Sequence, residues 1–403
     1  MAGAINFSGL SSGMDTKAIV EALVSVQKIP IKTLEKKQQT LSEQSAIFSE
    51  VKTRLTALET KAKELNDEKT FLSYTGTSSN ESVIHAATTG DALPGTYQIQ
   101  VNSLASEERT YSNAYSSKTA AVDIGTGTIN LNDGTSNANI TISSSTTLSM
   151  MASAINTLGL NAVAGVVYDG SNYRLQVSGT KPGTANGLTF SQSLNGGTST
   201  LALTEVVAAA NASITLEPSS GNAISISNSS NEITDVLPGS TLSLKSTGTS
   251  TITVRSDPDA ILAHVEELVK SWNEVNNKIR LESGYNPISD AQQSVLVADG
   301  TLRNIQLSMG LMVSRGLKGE NTAVSPTTTA FSGSYQVLRD VGIKLTATGT
   351  LSIDEEIFKE KAAANIEDFK KLFVSHTLTS GGNDYSVESI FEQMQNLASK
   401  YTD

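Results

Sequence analysis

The residues best equipped for chemistry are few and scattered. The three histidines, His85, His264 and His376, lie in separate segments without metal-type spacing, and cysteine is absent. Imidazoles so dispersed read as structural or surface groups rather than ligands. Without a thiol there is no disulfide scaffold, thiolate metal site or sulfur nucleophile. Serine is abundant, yet no Gly-x-Ser-x-Gly elbow stands on a strand-to-helix turn with aspartate and histidine in support. Gly9-Leu-Ser-Ser-Gly13 lacks the preceding strand and the lysine that a phosphate cradle needs, so it reads as a turn before a capped helix. Asp354-Glu355-Glu356 offers adjacent carboxylates, but just before a helix they act as N-terminal caps favoured by its dipole. Asn80-Glu-Ser, Asn139-Ile-Thr and Asn211-Ala-Ser fit the glycosylation pattern, which recurs by chance in Ser/Thr-rich sequence. No constellation could run a reaction. The expectation is a non-enzyme with no cofactor and no metal.

Composition narrows the partners. A net charge of −11 disfavours nucleic acid and anionic membrane, which both need clustered cations. No window approaches the ~18 to 20 apolar residues of a membrane span. The start, Met1-Ala-Gly-Ala-Ile5-Asn-Phe7-Ser, lacks the basic and apolar regions of a classical signal peptide. At 403 residues the chain has room for two to three domains.

Helical periodicity occupies both ends. Asp15 is a good N-cap for a helix from Thr16 to Lys28, and Pro30 predicts a break or kink after it. A second helix from Ile31 to about Asn66 carries Leu34, Leu41, Phe48, Leu55 and Ala62 at intervals of seven. Lys37, Gln44, Val51, Leu58 and Leu65 follow three residues behind, completing a heptad seam that demands partner helices. Asp257-Pro258 begins a further helix in which Ile261, Val265, Leu268, Trp272, Val275 and Ile279 follow 4-3-4-3-4 spacing. More helices are predicted at about 290–314, 355–363, 366–374 and 387–401, with a short hairpin from Val337–Leu345 and Gly349–Ile353.

From Gly76 to Val254 the chain has only five Lys/Arg and turns Ser/Thr/Gly-rich, with apolar residues alternating in strand fashion. Strands are expected at Val83–Ala87, Gly95–Leu104, Thr128–Leu131, Ile140–Ser143, Val163–Tyr168, Arg174–Ser178, Ala223–Ser227 and Thr241–Arg255, with one helix from Leu148 to Leu158. The predicted fold is therefore α+β and multidomain: a helical coiled-coil or bundle stalk built from both chain ends, carrying inserted β-rich head domains. Its parts are a terminal segment (1–30), a stalk helix (31–75) packed with the C-terminal helical part (256–403), an inner β-rich domain (76–110 with 205–255) and an outer α+β domain (111–204). The seams are read as packing within the chain rather than between copies.

Several stretches in this order resemble the flagellar filament-cap family, also called hook-associated protein 2. They are Phe7-Ser-Gly-Leu10-Ser-Ser-Gly-Met-Asp-Thr16 with Ile19-Val-Glu-Ala-Leu23, and Leu93-Pro-Gly-Thr-Tyr97 with the strand to Ala105. Ser229 to Gly239, Leu338-Arg-Asp-Val-Gly-Ile343, Gly349 to Asp354 and Phe369-Lys-Lys-Leu-Phe373 complete the series. Leu148 to Asn156, with Val163 to Val167 and Tyr173-Arg-Leu175, is similar to the helix-and-hairpin "IN" motif shared by cap proteins, flagellins and hook-associated proteins.

The resemblance implies export through the flagellar type III apparatus without a cleaved signal peptide, after binding an export chaperone. It implies an extracellular homo-oligomeric ring at the filament tip, in contact with flagellin and other hook-associated proteins, that promotes flagellin folding and insertion and prevents subunit loss. Leu34, Leu41, Phe48, Leu55, Leu58 and Leu65 with Ile261, Val265, Leu268, Trp272, Val275 and Ile279 would form the seam of each leg, and disordered segments around Ile5, Phe7 and Leu10 would order on docking. Alternatives are another axial protein (flagellin or hook–filament junction protein) or a tip adhesin for surface glycans, with Tyr97, Tyr111, Tyr115, Tyr168 and Tyr173 as its aromatics. The family continues beyond Phe373 with a long helix whose end pairs with the N-terminal one. Only 30 residues follow here, so residues 1–30 are expected to be mobile or paired differently.

Overall fold

The computed structural model of the chain describes residues 16–234, 236–284, 294–319, 334–380 and 383–402. It divides into a helical unit, residues Met1–Phe71 with Pro258–Asp403, and a β unit, Leu72–Asp257.

The helical unit is built on α1 (Thr16–Leu65), followed by the single turn α2 (Glu68–Phe71). The break predicted at Pro30 does not occur: α1 runs through it as one helix. A proline removes its own N–H from the ladder and crowds the carbonyl four residues back, at about 3 kcal/mol, yet the helix-forming residues on either side carry the backbone past it. The boundary expected at residue 30 is correspondingly absent. α4 (Pro258–Ser283), α5 (Gly300–Arg315) and α8 (Ile390–Thr402) complete the long helices. The short helices α6 (Glu355–Ala364) and α7 (Ile366–Phe373) are capped by Asp354 and Asn365. The helix expected from 290 starts at Gly300, because the Asp299 carboxylate accepts from the Thr301 and Leu302 amides and sets the N-terminus there. The predicted hairpin is present as β17 (Ile343–Leu345) paired with β18 (Leu351–Ile353), and β16 (Lys318–Gly319), β20 (Asn383–Glu388) and β19 (His376–Ser380) form a small sheet.

The β unit holds two cores. In the inner one, β1 (Tyr74–Ser78), β15 (Gly248–Ser256), β3 (Gly95–Ser103), β11 (Ala212–Leu216) and β12 (Ile224–Asn228) form a five-stranded sheet in that order. A second sheet orders β13 (Glu232–Ile233), β14 (Ser240–Leu244) and β2 (Ile84–Thr88). Ile84, Ile99, Ile214, Leu242 and Ile252 are fully buried in this core. The stretch Thr241–Arg255, read as one strand, is two strands in different sheets. Gly248, with φ +144°, bends the chain between them where a side chain would be strained.

The outer core lies under β10 (Leu203–Val207), β4 (Arg109–Ser112), β8 (Tyr173–Gly179) and β7 (Ala162–Tyr168) in one sheet. The other sheet is β6 (Asn137–Ile142), β5 (Thr126–Asn132) and β9 (Thr189–Asn195). Helix α3 (Leu148–Asn156) packs on β7 and β8 and buries Leu148, Met151, Ala152 and Ile155. β4 and β10 belong to this outer sheet, so the boundary lies nearer 105 and 210 than 110 and 205. Pairing of Arg109 with Ser178 and of Val207 with Arg109 draws both strands outward. The Asn231 amide bonds both the N–H and the C=O of Ala105, at 2.8 and 2.9 Å, and fastens the segment leaving β3 to the segment entering β13 within the inner core.

Asp133 organises the outer core. Its buried carboxylate accepts from the Asn161, Ser136 and Thr135 amides and from the Thr135 hydroxyl, at 2.7 to 2.9 Å. The Asn161 amide foremost, and the others after it, outweigh the cost of burial and hold its pKa far below the usual carboxylate range. A depressed folded pKa gives stability that is full above the unfolded aspartate value, about 3.9, and is lost progressively as pH falls below it. Asp133→Asn should therefore melt well below the native chain at pH 7, with the gap narrowing toward pH 3. A gap that stays constant with pH would show that the charge is not what matters.

Candidate assembly surfaces

Within the helical unit α1 contacts α4 and α8, and both run antiparallel to it: Lys61–Glu267 and Glu50–Lys278 fix the direction of α4, Asn66–Ser389 and Glu59–Thr402 that of α8. The seam that is buried comprises Val51, Leu55, Leu58, Ala62 and Leu65 on α1 and Ile261, Val265, Leu268, Trp272, Val275 and Ile279 on α4. Ile390, Phe391, Met394 and Ala398 supply the α8 side. Burying each such leucine contributes about 1.5–3 kcal/mol. Further along α1, Phe48 is half-buried, whereas Leu34 and Leu41 are each 65% exposed. The expectation that these two close the seam within the chain is corrected: no described helix lies opposite them. Ile19, Val20, Leu23, Val24, Ile29 and Ile31 are exposed as well. Ile5, Phe7 and Leu10 lie outside the described residues.

Charged side chains line the seam. Lys61 meets Glu267 at 3.1 Å, Arg54 meets Glu274 at 3.8 Å, and Lys278 bridges Glu50 and Glu282. Hydrogen bonds from Lys278 and then Arg54 lower the pKa of Glu50. Burial pulls the Lys278 value down, but Glu50 and Glu282 outweigh it and the net direction is upward. The Lys61–Glu267 and Arg54–Glu274 pairs are exposed enough to contribute little stability individually; with the largely buried Lys278 they fix the register of α4 on α1.

The seam residue Trp272 and the flank of α4 beside it hold the β17–β18 hairpin through its backbone. The Trp272 indole N–H donates to the Gly349 carbonyl at 3.1 Å, and the Asn276 amide donates to the Thr348 carbonyl at 2.9 Å. The Asn273 amide takes both backbone groups of Leu351, accepting from its N–H at 2.7 Å and donating to its C=O at 2.9 Å. Gly349, at φ +81°, sits so close that a Cβ there would lie 2.7 Å from Asn276 Oδ1. Trp272→Phe should cost the helical unit about 2–4 kcal/mol from lost packing and an orphaned carbonyl. An unchanged urea midpoint would show that the indole contributes nothing to the latch.

The far end of the unit is closed by aromatics and a buried polar network. Phe71, Phe358, Phe369, Phe373 and Phe391 are essentially inaccessible, and Phe369 lies 5.0 Å from both Phe358 and Phe373. Beside them Asn66 Oδ1 accepts from the Ser375 amide and the Ser389 hydroxyl, while Ser375 Oγ donates to Glu392. Ser389 also accepts from the Glu392 amide at 3.0 Å and so caps α8. The Ser-x-x-Glu spacing is the signal that could have located this cap. Asn66, Asn273 and Asn276 carry no such signal, since their partners are remote in sequence. Among the described residues no group of three or more His, Cys, Asp or Glu could hold a metal ion, and no helix is long and apolar enough to cross a membrane.

Two family models match, the N-terminal part of flagellar hook-associated protein 2 over residues 12–108 and its C-terminal part over residues 209–403. The chain belongs to the flagellar hook-associated protein 2 family. It is similar to the B-type flagellar hook-associated protein 2 of Pseudomonas aeruginosa, with 27% identity over 92% of this chain and 81% of that protein. It is also 27% identical to flagellar hook-associated protein 2 of Escherichia coli K12, over 87% of this chain and 76% of the relative. Among solved structures it shares the fold of the D1-D2-D3 domains of the Escherichia coli flagellar cap protein FliD. That likeness has a TM-score of 0.65 at 24% identity and covers 89% of this chain and 95% of the other. The two models lie at the two ends of the chain, and both ends fold into the helical unit. The residues between the models form most of the outer core.

Proposed function

We propose that this chain is a structural cap at the distal tip of the bacterial flagellar filament. The observation that carries the reading is the match to both ends of one cap family, in order, on a chain whose helical unit is built from those same ends. The cap works by positioning and exclusion. Copies of the chain associate in a ring, and incoming flagellin folds and inserts beneath it instead of escaping. The exposed row along α1, with Leu23, Ile31, Leu34 and Leu41 each 55–65% exposed, supports a further apolar partner for this helix. Flagellin in the filament and the neighbouring hook-associated proteins are the partners proposed, and Ile5, Phe7 and Leu10 belong to the same docking segment. Before export through the flagellar type III system an export chaperone would hold the chain.

Deleting the gene tests the reading. The cap predicts that flagellin accumulates as monomer in the medium while filaments fail to grow, with both defects reversed by the restored chain. Normal filaments and no shed flagellin would contradict it.

A further inference from the structure

β7 is an edge strand of the outer sheet, and its sequence Ala162-Val-Ala-Gly-Val-Val-Tyr168 has neither charge nor proline. Such an edge offers unpaired backbone groups to any other strand. Val163 and Val167 are 50% and 38% exposed, and the Cα of Gly165 faces open space. One position on the edge is occupied. Asn156, at the end of α3, donates from Nδ2 to the Ala164 carbonyl at 2.9 Å and accepts at Oδ1 from the Ala164 amide at 2.7 Å. Antiparallel pairing alternates inward and outward groups, so Ala164, Val166 and Tyr168 all direct their N–H and C=O away from β8. Those of Val166 and Tyr168 have no backbone partner among the described residues.

The amide of Asn156 reproduces the two hydrogen bonds that a neighbouring strand would make. Asn231 on Ala105 and Asn273 on Leu351 have the same geometry, but Ala105 lies outside any strand and Leu351 lies in the hairpin held by α4. Asn156 is exposed and joins nothing else. Its neighbour Ile155 points into the outer core, 2% exposed. The two residues thus divide the work: the isoleucine anchors the helix, and the asparagine covers the strand edge.

We infer that Asn156 is a guard on the β7 edge, blocking extension of the outer sheet by the β7 strand of a second copy of this chain. Two β7 strands could pair antiparallel with Ala164 near the centre. The amide already seated there denies the central pair of bonds.

The test uses the full chain with Asn156→Ala, Val167→Lys and the two combined, followed by residue-resolved amide exchange and sedimentation velocity across a range of concentrations. In the native chain the Ala164 amide is protected while those of Val166 and Tyr168 exchange freely at every concentration. In the alanine variant at low concentration Ala164 exchanges roughly tenfold faster, as loss of two amide bonds implies. At high concentration Ala164, Val166 and Tyr168 all become protected together as a larger species appears. Adding Val167→Lys puts a charged side chain on the pairing edge and removes that species. The inference is overturned if native Ala164 is unprotected, or if Asn156→Ala leaves assembly unchanged. It is equally overturned if the larger species survives Val167→Lys or forms without protecting Val166 and Tyr168.

Discussion

Replacing both Leu55 and Leu58 by aspartate should collapse the helical unit. These side chains are 1% and 0% exposed on the face where α1 meets α4 and α8. Each substitution forfeits about 1.5–3 kcal/mol of apolar burial and brings in a carboxylate with no cation inside the seam. Desolvating two such charges raises the cost beyond roughly 5 kcal/mol, comparable to the whole stability of a typical domain. Amide exchange along α1, α4 and α8 should rise to unfolded values, and limited proteolysis should cut within α1. The paired control is Leu34→Asp with Leu41→Asp, at positions 65% exposed, where the expected change in stability is within about 0.5 kcal/mol. Equal damage from the two double variants would show that the seam extends past Phe48 and that the described burial is wrong.

Phe369→Ala should be the most damaging single truncation in the same unit. Its ring touches Phe358 and Phe373 at 5.0 Å, with Phe71 at 6.3 Å and Tyr335 at 6.2 Å. The cluster draws on Phe71, at the end of the N-terminal segment, and on residues from Tyr335 to Phe391. A hole at its centre therefore loosens the closure between the two ends of the sequence. Removal of a fully buried phenylalanine costs about 3–5 kcal/mol, readable as a urea midpoint shift with unchanged slope. A loss below about 1 kcal/mol would mean that the rings repack freely, which close-packed interiors do not ordinarily allow.

Much of this architecture is legible in the residues, and the failures have identifiable causes. The α4 seam is readable because Ile261 to Ile279 keep 4-3 spacing and every one of them finds a partner. The same pattern on α1 misleads at Leu34 and Leu41, since periodicity states which face is apolar but not how far the opposing helices reach. Pro30 misleads because a missing hydrogen bond and a crowded carbonyl cost less than ending a long helix whose flanks favour it. Strands such as β9, Thr-Phe-Ser-Gln-Ser-Leu-Asn, escape notice because Phe190 and Leu194 stand four apart among polar residues, without a period of two. β4 and β10 are too short to announce themselves and are strands only because β8 pairs with β4 and β4 in turn with β10.

The residues that fasten the parts together were the least visible. Asn231 and Ala105 are 126 positions apart, and Asn273 and Leu351 are 78 apart. A neutral amide carries no charge pattern or spacing that would betray such a bond. In the sequence Asp133 stands in Asn132-Asp133-Gly134, a turn signal with no hint that its carboxylate gathers donors from two segments. Polar side chains that act on distant backbone leave little trace in local sequence.

The central claim is that this chain caps a flagellar filament, and location tests it most directly. Antibody raised against residues 76–254 and coupled to gold, applied to intact native cells under the electron microscope, should label only the distal ends of flagella. Gold distributed along the filaments, or scattered over the cell body and the medium, would contradict the account.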